Sequence, residues 1–565
     1  MTSQASSAGS AGSAHPPAET RTTLLRGGAV YNPAEPYATA LLTVGETVAW
    51  IGSEDGADLH VDSADTVIEL EGALVTPAFV DAHVHATSTG LALTGLDLAG
   101  AGSREQVLDR LAEFAANQPA DAVVLGTGWD ETRWPDRTPP TAEQLDRAAG
   151  GRPVYLSRVD VHSAVASSAL LAAVPEVQGA AGYRGAGLVA QAAHHLVRTA
   201  AYGQVSPEQR AAAQRTARAH AAELGIGALH ECGGPDISGE DDFTGLLELA
   251  AAEPGPYVFG YWGELTDPVK ALELGGVGAG GDLFIDGALG SRTAALRDPY
   301  TDAAETGDPA HGGVTYVDGE ELAGFLAACV EAEVQPGFHV IGDYAMDLLV
   351  GALELAADAV DENRLRALTV RAEHAEMADA ATIAKLSRFG VVVSAQPVFD
   401  EAWGGPSGMY AQRLGAERAA ALNPFAAYGA AGIVLAFGSD SPVTALGPWA
   451  AVRAAAFHQT PGSRITARAA FSAHTRGGWR ALRPGAPGVP ADEQGVLAPG
   501  QAASYAVWRA GDLVVQTPDS RVAAWSTDER AGVPGLADLT PGLPLPECLR
   551  TAVRGRAVFD RLEKP

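Results

Sequence analysis

The feature that most constrains the fold is a repeated alternation of short apolar runs with alanine-rich helical segments. One such segment, SPEQRAAAQRTARAHAAEL, begins at Ser206, which can cap a helix with Glu208 close by. Strands that alternate with helices predict a parallel sheet, and eight of them predict a closed (β/α)8 barrel, also called a TIM barrel. The apolar runs lie at 78–85, 228–232, 256–262, 282–287, 337–343, 368–376, 391–397 and 434–440.

Both ends of the chain differ from this middle region, because they contain short strands separated by turns. We therefore expect residues 22–76 and 490–565 to form one small composite β domain beside a barrel at 77–489. The first two apolar runs are separated by many more residues than one helix needs, which predicts an α/β insertion, at about 90–200, after the first barrel strand. Residues 1–21 have the composition of a disordered tail.

Charge and composition limit the kinds of partner. Among the 565 residues, 69 acidic against 38 basic side chains give a net charge of -31, which repels phosphate and excludes ordinary nucleic-acid binding. The same charge disfavours anionic membranes, and no apolar stretch is long enough to span one. The three cysteines match no metal-finger spacing and suit a reducing compartment. We expect a soluble cytoplasmic protein with a small-molecule substrate, and its broad alanine-rich helical surfaces favour a homodimer.

The sequence Asp-Ala-His-Val-His at 81–85 ends the first apolar run. Residues two apart on a strand face the same side, so His83 and His85 can bind one metal ion. Taken alone, the motif is equally compatible with two surface histidines at a strand end. His339, His374 and Asp440 each follow another apolar run, and barrel enzymes carry their chemistry at this end of the strands. Together these residues predict a metal centre.

Several passages, taken in order, resemble the amidohydrolase superfamily of metal-dependent hydrolases, in particular amidohydrolase family 3 and its branch with N-substituted formamide deformylase. They are VTPAFVDAHVH, GTGWDETRWP, FIDGALGSRTAAL, HVIGDYAMD, RAEHAEM, SAQPVF, FGSDSPV and GVLAPGQAA. The resemblance covers nearly all of the chain from about residue 22. It implies a metal-bearing barrel beside a small β-sandwich domain formed by both chain termini.

The resemblance also implies roles for the candidate residues. His83 and His85 would bind one divalent metal ion, with zinc expected, together with Asp440. His339 and His374 would bind a second ion or, if only one is present, orient water and substrate. Asp440 would also carry the proton from the attacking water to the leaving nitrogen. The catalytic residues would thus be Asp440, His374 and His339, with one or two ions.

One departure from the family concerns a lysine on the fourth barrel strand, which many relatives carry in carboxylated form between two metal ions. None of the lysines of this chain ends a barrel strand, so such a bridge is not expected. Asp282 could supply a shorter bridging carboxylate, although it stands at the start of the run DLFIDG, and Asp286 is its rival. The lysines are Lys270, Lys385 and Lys564.

Three further residues are candidates for contact with the substrate. His162 resembles a family position that faces substrate, but a packed histidine is an equal alternative. Trp129 could line the pocket, although a buried tryptophan usually belongs to a core. Arg292 could bind a substrate oxygen or cap a turn.

We expect a metal-dependent hydrolase of carbon–nitrogen bonds other than peptide bonds, in an amide, formamide or cyclic amide. The alternatives are a deaminase or another hydrolase on the same barrel, and a catalytically silent metal-binding relative.

Overall fold

The computed structural model describes residues 21–562, except for a few short gaps. The chain divides into two compact units, one formed by residues 1–85 and 218–565 and the other by residues 86–217. The gaps are residues 120–121, 132–133, 159–162, 236, 266, 517–524 and 527–531.

The amino-terminal residues form short strands and one short helix, α1 (Glu54–Ala57). Four of the strands make a sheet in the order β4-β3-β1-β5, with alternating inward side chains such as Leu25 and Leu41 in the domain core. The strands are β1 (Thr22–Arg26), β2 (Ala29–Val30), β3 (Ala40–Val44), β4 (Thr47–Gly52), β5 (Thr66–Glu69) and β6 (Leu74–Pro77). The first barrel strand, β7 (Phe79–Val84), follows directly and is buried along its whole length.

The unit at residues 86–217 is the α/β insertion after the first barrel strand. Its sheet has the order β12-β11-β10-β9-β8 and mixes parallel with antiparallel pairs. The strands are β8 (Leu96–Asp97), β9 (Val124–Trp129), β10 (Val154–Arg158), β11 (Ser163–Ala166) and β12 (Leu188–Ala190). The helices are α2 (Ala86–Thr94), α3 (Arg104–Ala116), α4 (Ala142–Ala149), α5 (Ser168–Ala172) and α6 (Gln191–Tyr202). Helix α4 begins with a capping box between Thr141 and Gln144, which fixes its start.

Seven more parallel strands complete a nearly closed barrel with β7, in the order β19-β18-β17-β16-β15-β14-β13-β7 among the described residues. They are β13 (Ile226–Gly233), β14 (Tyr257–Trp262), β15 (Gly278–Ala279), β16 (Gln335–Val340), β17 (Arg371–His374), β18 (Val392–Ala395) and β19 (Leu435–Phe437). Backbone hydrogen bonds join the two end strands just beyond β19: Asp440 N donates to His83 O over 2.8 Å, and His85 N donates to Ser441 O over 3.0 Å. The predicted TIM barrel is confirmed.

Helices cover the outside of the barrel, and their apolar faces pack on the strands; Leu349 and Leu353, for example, share a core with Phe338. The helices that lie between and after the strands are α7 (Pro207–Glu223), α8 (Glu240–Ala252), α9 (Pro268–Glu273), α10 (Gly319–Ala332), α11 (Asp343–Ala359), α12 (Glu362–Ala367), α13 (Ala380–Phe389), α14 (Pro397–Trp403), α15 (Met409–Leu414), α16 (Ala416–Ala420), α17 (Phe425–Ala430), α18 (Pro448–Ala456), α19 (Ala467–Ser472) and α20 (Gly478–Ala481).

The fourth barrel strand is not where the sequence pattern put it. The prediction of a strand at 282–287 was wrong, because β15 is Gly278–Ala279 and the later segment meets β16 only through an isolated bridge between Phe284 and His339. Close packing explains the shift. A Cβ on Gly280, whose φ is +148°, would lie only 2.2 Å from the carbonyl oxygen of Gly337. Glycine is a poor strand former in sequence patterns, so this strand is inconspicuous.

The carboxyl-terminal strands return to the amino-terminal ones. A five-stranded sheet with the order β2-β6-β20-β24-β25 combines both termini, which confirms a small β domain built from the two chain ends. The strands are β20 (Tyr505–Arg509), β21 (Leu513–Gln516), β22 (Trp525–Ser526), β23 (Leu536–Ala537), β24 (Glu547–Val553) and β25 (Arg556–Asp560). All three cysteines are buried and form no disulfide. Within the described part of the chain, no helix has both the length and the apolarity needed to cross a bilayer.

Candidate metal centre

His83, His85 and Asp440 come together at the carboxyl ends of the first and last barrel strands. The carboxylate Oδ1 of Asp440 lies 3.5 Å from His83 Nε2 and 3.2 Å from His85 Nε2. Asp440 follows β19 with a φ of +56°, which is uncommon for a residue with a side chain and turns its carboxylate toward the histidines. The residues that end the first and the last barrel strand therefore lie close together in the structure.

Asp282 lies between these residues and the other two histidines. Its Oδ2 is 3.1 Å from His85 Nε2, while its Oδ1 is 3.3 Å from His339 Nδ1 and 3.7 Å from His374 Nε2. Oδ1 also lies 3.5 Å from His83 Nε2, so this one carboxylate contacts histidines of both halves of the site. Because β15 ends at Ala279, Asp282 follows the fourth strand rather than starting it.

Asp286, the rival acid, is used differently. Its carboxylate accepts hydrogen bonds from the backbone N–H groups of Ala295, Ile341 and Gly342, over 2.8 to 3.0 Å. These contacts tie the segment after β15 to the end of β16. Asp286 therefore holds a loop in place, whereas Asp282 faces the histidines.

Three of the four histidines at the centre are each oriented by a hydrogen-bond acceptor that faces Nδ1, the ring nitrogen pointing away from the centre. The Nδ1 atoms of His83, His85 and His374 contact Glu373 Oε2 at 2.9 Å, Cys232 O at 2.8 Å and Gln396 Oε1 at 2.8 Å. A carbonyl oxygen can only accept, so the ring nitrogen that faces it carries the proton. These three histidines consequently present Nε2 to the centre.

His339 has the opposite arrangement, since its Nε2 donates to Gly287 O at 3.3 Å and its Nδ1 faces Asp282. Such outer partners fix the tautomer that a metal-binding histidine needs. His374 reaches the centre because its φ of +68° redirects the side chain at the end of β17.

The charges in the centre stabilise one another. Burial lowers the pKa of the His85 imidazole, but its contacts with Asp282 and Asp440 outweigh this effect and hold the pKa well above its usual value. Burial raises the pKa of Asp282, yet His83, His339 and His374 hold it well below its usual range. The Asp282 carboxylate is thus ionised, as metal binding requires.

The residues present fit a divalent metal ion. Ligand atoms of His83, His85, Asp282 and Asp440 all lie within 4.8 Å of one another, and so do those of Asp282, His339 and His374. Imidazole nitrogens and carboxylate oxygens suit zinc and similar ions. The Nε2 atom of His83 is buried and has no hydrogen-bond partner among the described residues, so a polar atom stands ready for a ligand.

A third set of neighbouring ligand atoms comprises His83, Cys232 and Glu373. In this set Glu373 is engaged elsewhere, because both of its oxygens accept hydrogen bonds from the Arg371 guanidinium. Arg371, Glu373 and Gln396 were not singled out from the sequence. The sequence signal for Arg371 and Glu373 was their spacing in RAEH, which puts both on one face of a strand.

The predicted substrate residues have different surroundings. Trp129 is only 1% exposed in the core of the insertion, where its Nε1 donates to Leu156 O over 2.8 Å. This position is that of a core tryptophan, and contact with substrate stays a prediction. Arg292 follows the turn after Asp286 with a φ of +60° and forms a bidentate ion pair with Asp302. His162 lies outside the described residues.

The family model described as "Amidohydrolase family" matches residues 66–559, which is most of the chain. The chain belongs to the amidohydrolase family. This membership supports a hydrolase and agrees with the metal-binding residue types at the mouth of the barrel.

Two curated relatives are similar to this amidohydrolase over most of their length. "Putative amidohydrolase YtcJ" of Bacillus subtilis (strain 168) is 28% identical over 417 residues, covering 70% of this chain and 75% of the relative. "Protein LONG AFTER FAR-RED 3" of Arabidopsis thaliana is 27% identical over 454 residues, covering 74% and 75%. Among solved structures, an uncharacterized metal-dependent hydrolase from Pyrococcus furiosus has a TM-score of 0.70 at 25% identity, covering 86% of this chain and 98% of that one.

The narrower branch suggested by the sequence has weaker support. N-substituted formamide deformylase of Arthrobacter pascens is 22% identical over 449 residues, covering 74% of this chain and 80% of the relative. That protein is a more distant relative than the two above. Membership of the family is therefore confirmed, whereas the branch is not.

Proposed function

We propose that this amidohydrolase hydrolyses a carbon–nitrogen bond of a small amide, formamide or cyclic amide, using a divalent metal centre and water. The observation that carries the proposal is the meeting of four histidines with Asp282 and Asp440 at the carboxyl ends of the barrel strands. The similarity to a formamide deformylase supports this class of bond.

The proposed centre holds two ions, with zinc as the expected metal. His83, His85 and Asp440 form the first ligand set, and His339 with His374 forms the second. Asp282 belongs to both sets, since its Oδ2 faces His85 while its Oδ1 lies near His83 as well as near His339 and His374. It would take the place of the bridging lysine that this chain lacks.

A divalent ion bound here would supply Lewis acidity, which polarises a substrate carbonyl and lowers the pKa of water. The chain's own contribution begins with Asp440, the proposed proton carrier. Its carboxylate would accept the proton of the attacking water as the new carbon–oxygen bond forms. The same carboxyl group would then donate that proton to the leaving nitrogen as the carbon–nitrogen bond breaks. The products are a carboxylic acid and an amine.

The test is hydrolysis of a panel of N-substituted formamides, linear amides and cyclic amides by zinc-loaded protein, with amine release as the readout. Activity that disappears after chelation and returns with the metal would support the proposal. Asp440→Asn should reduce kcat by about 100-fold to 10,000-fold. Activity that survives exhaustive chelation, or an unimpaired Asp440→Asn enzyme, would contradict it. Cytoplasmic location and a homodimer stay predictions.

A further inference from the structure

We propose that Arg371 and Glu373 are positioning residues that hold His83 as a metal ligand and strengthen the first ligand set over the second. This inference rests on the proposed function, because it assumes that His83 binds a metal ion. Both residues lie on β17, two positions apart, and their side chains face the barrel interior, where each is fully buried.

Glu373 connects the two other residues. Its Oε2 lies 2.9 Å from His83 Nδ1, and the Arg371 guanidinium donates to Oε1 over 2.8 Å and to Oε2 over 3.1 Å. Both carboxylate oxygens are thus occupied, so Glu373 is placed to orient His83 rather than to bind metal itself. The carboxylate accepts the Nδ1 proton, which leaves the Nε2 lone pair for a ligand.

Hydrogen bonds and a contact with an aromatic ring hold the planar guanidinium group of Arg371 in place. Besides Glu373, it donates to Ala82 O over 2.7 Å and to His230 Nδ1 over 2.9 Å. Its Cζ atom also lies 4.2 Å from the ring centroid of Tyr261. A buried carboxylate would be unfavourable without such a partner. Arg371 therefore keeps Glu373 ionised and fixed below the metal centre.

The other outward-facing ring nitrogens lack this arrangement. His85 faces the carbonyl oxygen of Cys232, and His374 faces the amide oxygen of Gln396, both of which are neutral. A carboxylate partner makes an imidazole a stronger donor to a metal than a neutral partner does. The first ligand set, which also contains Asp440, is therefore the one whose ion binds more tightly, and the Arg371–Glu373 pair adds to this preference.

The experiment compares the affinities of the two zinc ions in the full-length protein, measured by titration against a competing chelator. Glu373→Gln should weaken the tighter ion by about 10-fold to 100-fold and leave the weaker one within about 3-fold. Gln396→Leu is the matched control, because it removes the acceptor behind His374 and should weaken only the other ion. Arg371→Lys keeps the positive charge and should restore part of the affinity lost in Arg371→Met.

Glu373→Gln leaves the Arg371 charge uncompensated and can unfold the barrel. The double variant Arg371→Met/Glu373→Leu removes both charges, so a folded protein, checked by circular dichroism, should show the same loss of affinity at the tighter ion. Cobalt-loaded wild-type protein gives an independent readout. The ring N–H proton of His83 should appear as a paramagnetically shifted resonance that exchanges slowly with water, because Glu373 accepts it.

The outcomes separate this inference from the proposed function. If the wild-type protein binds no metal, both fail. If it binds zinc and the Glu373 variants bind both ions with wild-type affinity, only the positioning role is overturned. Equal weakening of both ions in the Glu373 variants would likewise overturn it, because it would indicate a general structural role.

Discussion

The mouth of the barrel and the terminal β domain both contain a cluster of acidic side chains, but the clusters are neutralised differently. In the β domain, Arg554 pairs with both carboxylate oxygens of Asp492, over 2.9 and 3.0 Å, and with Glu46. At the mouth of the barrel, Asp282 and Asp440 face histidines whose inner nitrogens point at them. The cluster in the β domain therefore needs no added ion, because Arg554 already pairs with its carboxylates.

The two clusters differ as a structural ion cluster differs from a binding site. A guanidinium offers five fixed donors and remains charged, so it completes a carboxylate pair without any added ion. Imidazoles beside carboxylates hold protons that a bound cation can displace, and the cation then neutralises the two carboxylates. The buried Nε2 of His83, which has no hydrogen-bond partner in the part of the chain that the structure describes, agrees with that interpretation.

The strongest test of this comparison makes the same substitution in both clusters. Asp282→Asn should lose at least about 100-fold in kcat, because the amide cannot serve both ligand sets as an anion. Asp492→Asn removes a carboxylate of the β domain and should keep kcat within about 3-fold, since it lies outside the metal centre. Steady-state amine release by the two zinc-loaded variants measures both effects. Equal losses would erase the distinction.

Metal removal should affect stability through one cluster only. Saturation at about 100 times Kd stabilises a folded protein by about 3 kcal/mol for each bound ion, so stripping two zinc ions should lower the unfolding free energy by about 5 kcal/mol. In the double-ligand variant His83→Ala/Asp282→Asn, the chelator should change nothing. Urea unfolding with and without chelator provides the measurement. If the chelator does not change the stability of the wild-type protein, no bound ion contributes to that stability.

Arg554→Met should lower the stability of the protein without changing its metal content. Losing charged hydrogen bonds to Asp492 and Glu46 should reduce the free energy of unfolding by about 2 kcal/mol. The zinc content should remain that of the wild type, which elemental analysis of the same preparation would check. A loss of metal in this variant would mean that the two clusters are coupled.

The smallest expected effect concerns Glu493, which is buried beside the Arg554 cluster and accepts a hydrogen bond from Ser504 Oγ over 2.6 Å. Burial raises its pKa to about 7. The folded protein therefore keeps the Glu493 carboxyl group protonated at pH values where the unfolded chain, with a pKa of about 4.3, has already released the proton. Stability from this group is present at low pH and is lost as the pH rises toward about 7.

Glu493→Gln should consequently match the wild type at pH 4.5 and be more stable than the wild type at pH 8. Thermal unfolding at the two pH values, compared between variant and wild type, gives the result. A variant that is less stable than the wild type at pH 8 would mean that the ionised carboxylate is favourably solvated or paired in the folded protein.

Much of the barrel was predictable because its strands are apolar, β-branched and separated by regular helices. The exception was β15, where Gly278 and Gly280 permit close backbone packing but give no strand signal. That one misplacement also made Asp282 look like a residue at the start of a strand. The pattern thus located the face of the barrel correctly and obscured one acid on it.

The site was predictable only for residues whose type alone suggests metal binding. His83 and His85 follow from strand periodicity, but the left-handed conformations of His374 and Asp440 depend on tertiary contacts that no local pattern encodes. Arg371 and Glu373 are charged residues inside a barrel strand, and only the folded neighbours reveal their partners. The insertion residue Trp129 likewise acquires its place from the packing around it.

The most direct test of the central claim, two ligand sets that share Asp282, is the zinc content per chain measured by elemental analysis after loading and removal of free metal. Wild-type protein should hold about two equivalents, His339→Ala about one, and Asp282→Asn well below one. Asp492→Asn, the matched control, should hold about two. An Asp282→Asn protein that still holds two equivalents, or a wild-type protein that holds none, would contradict the account.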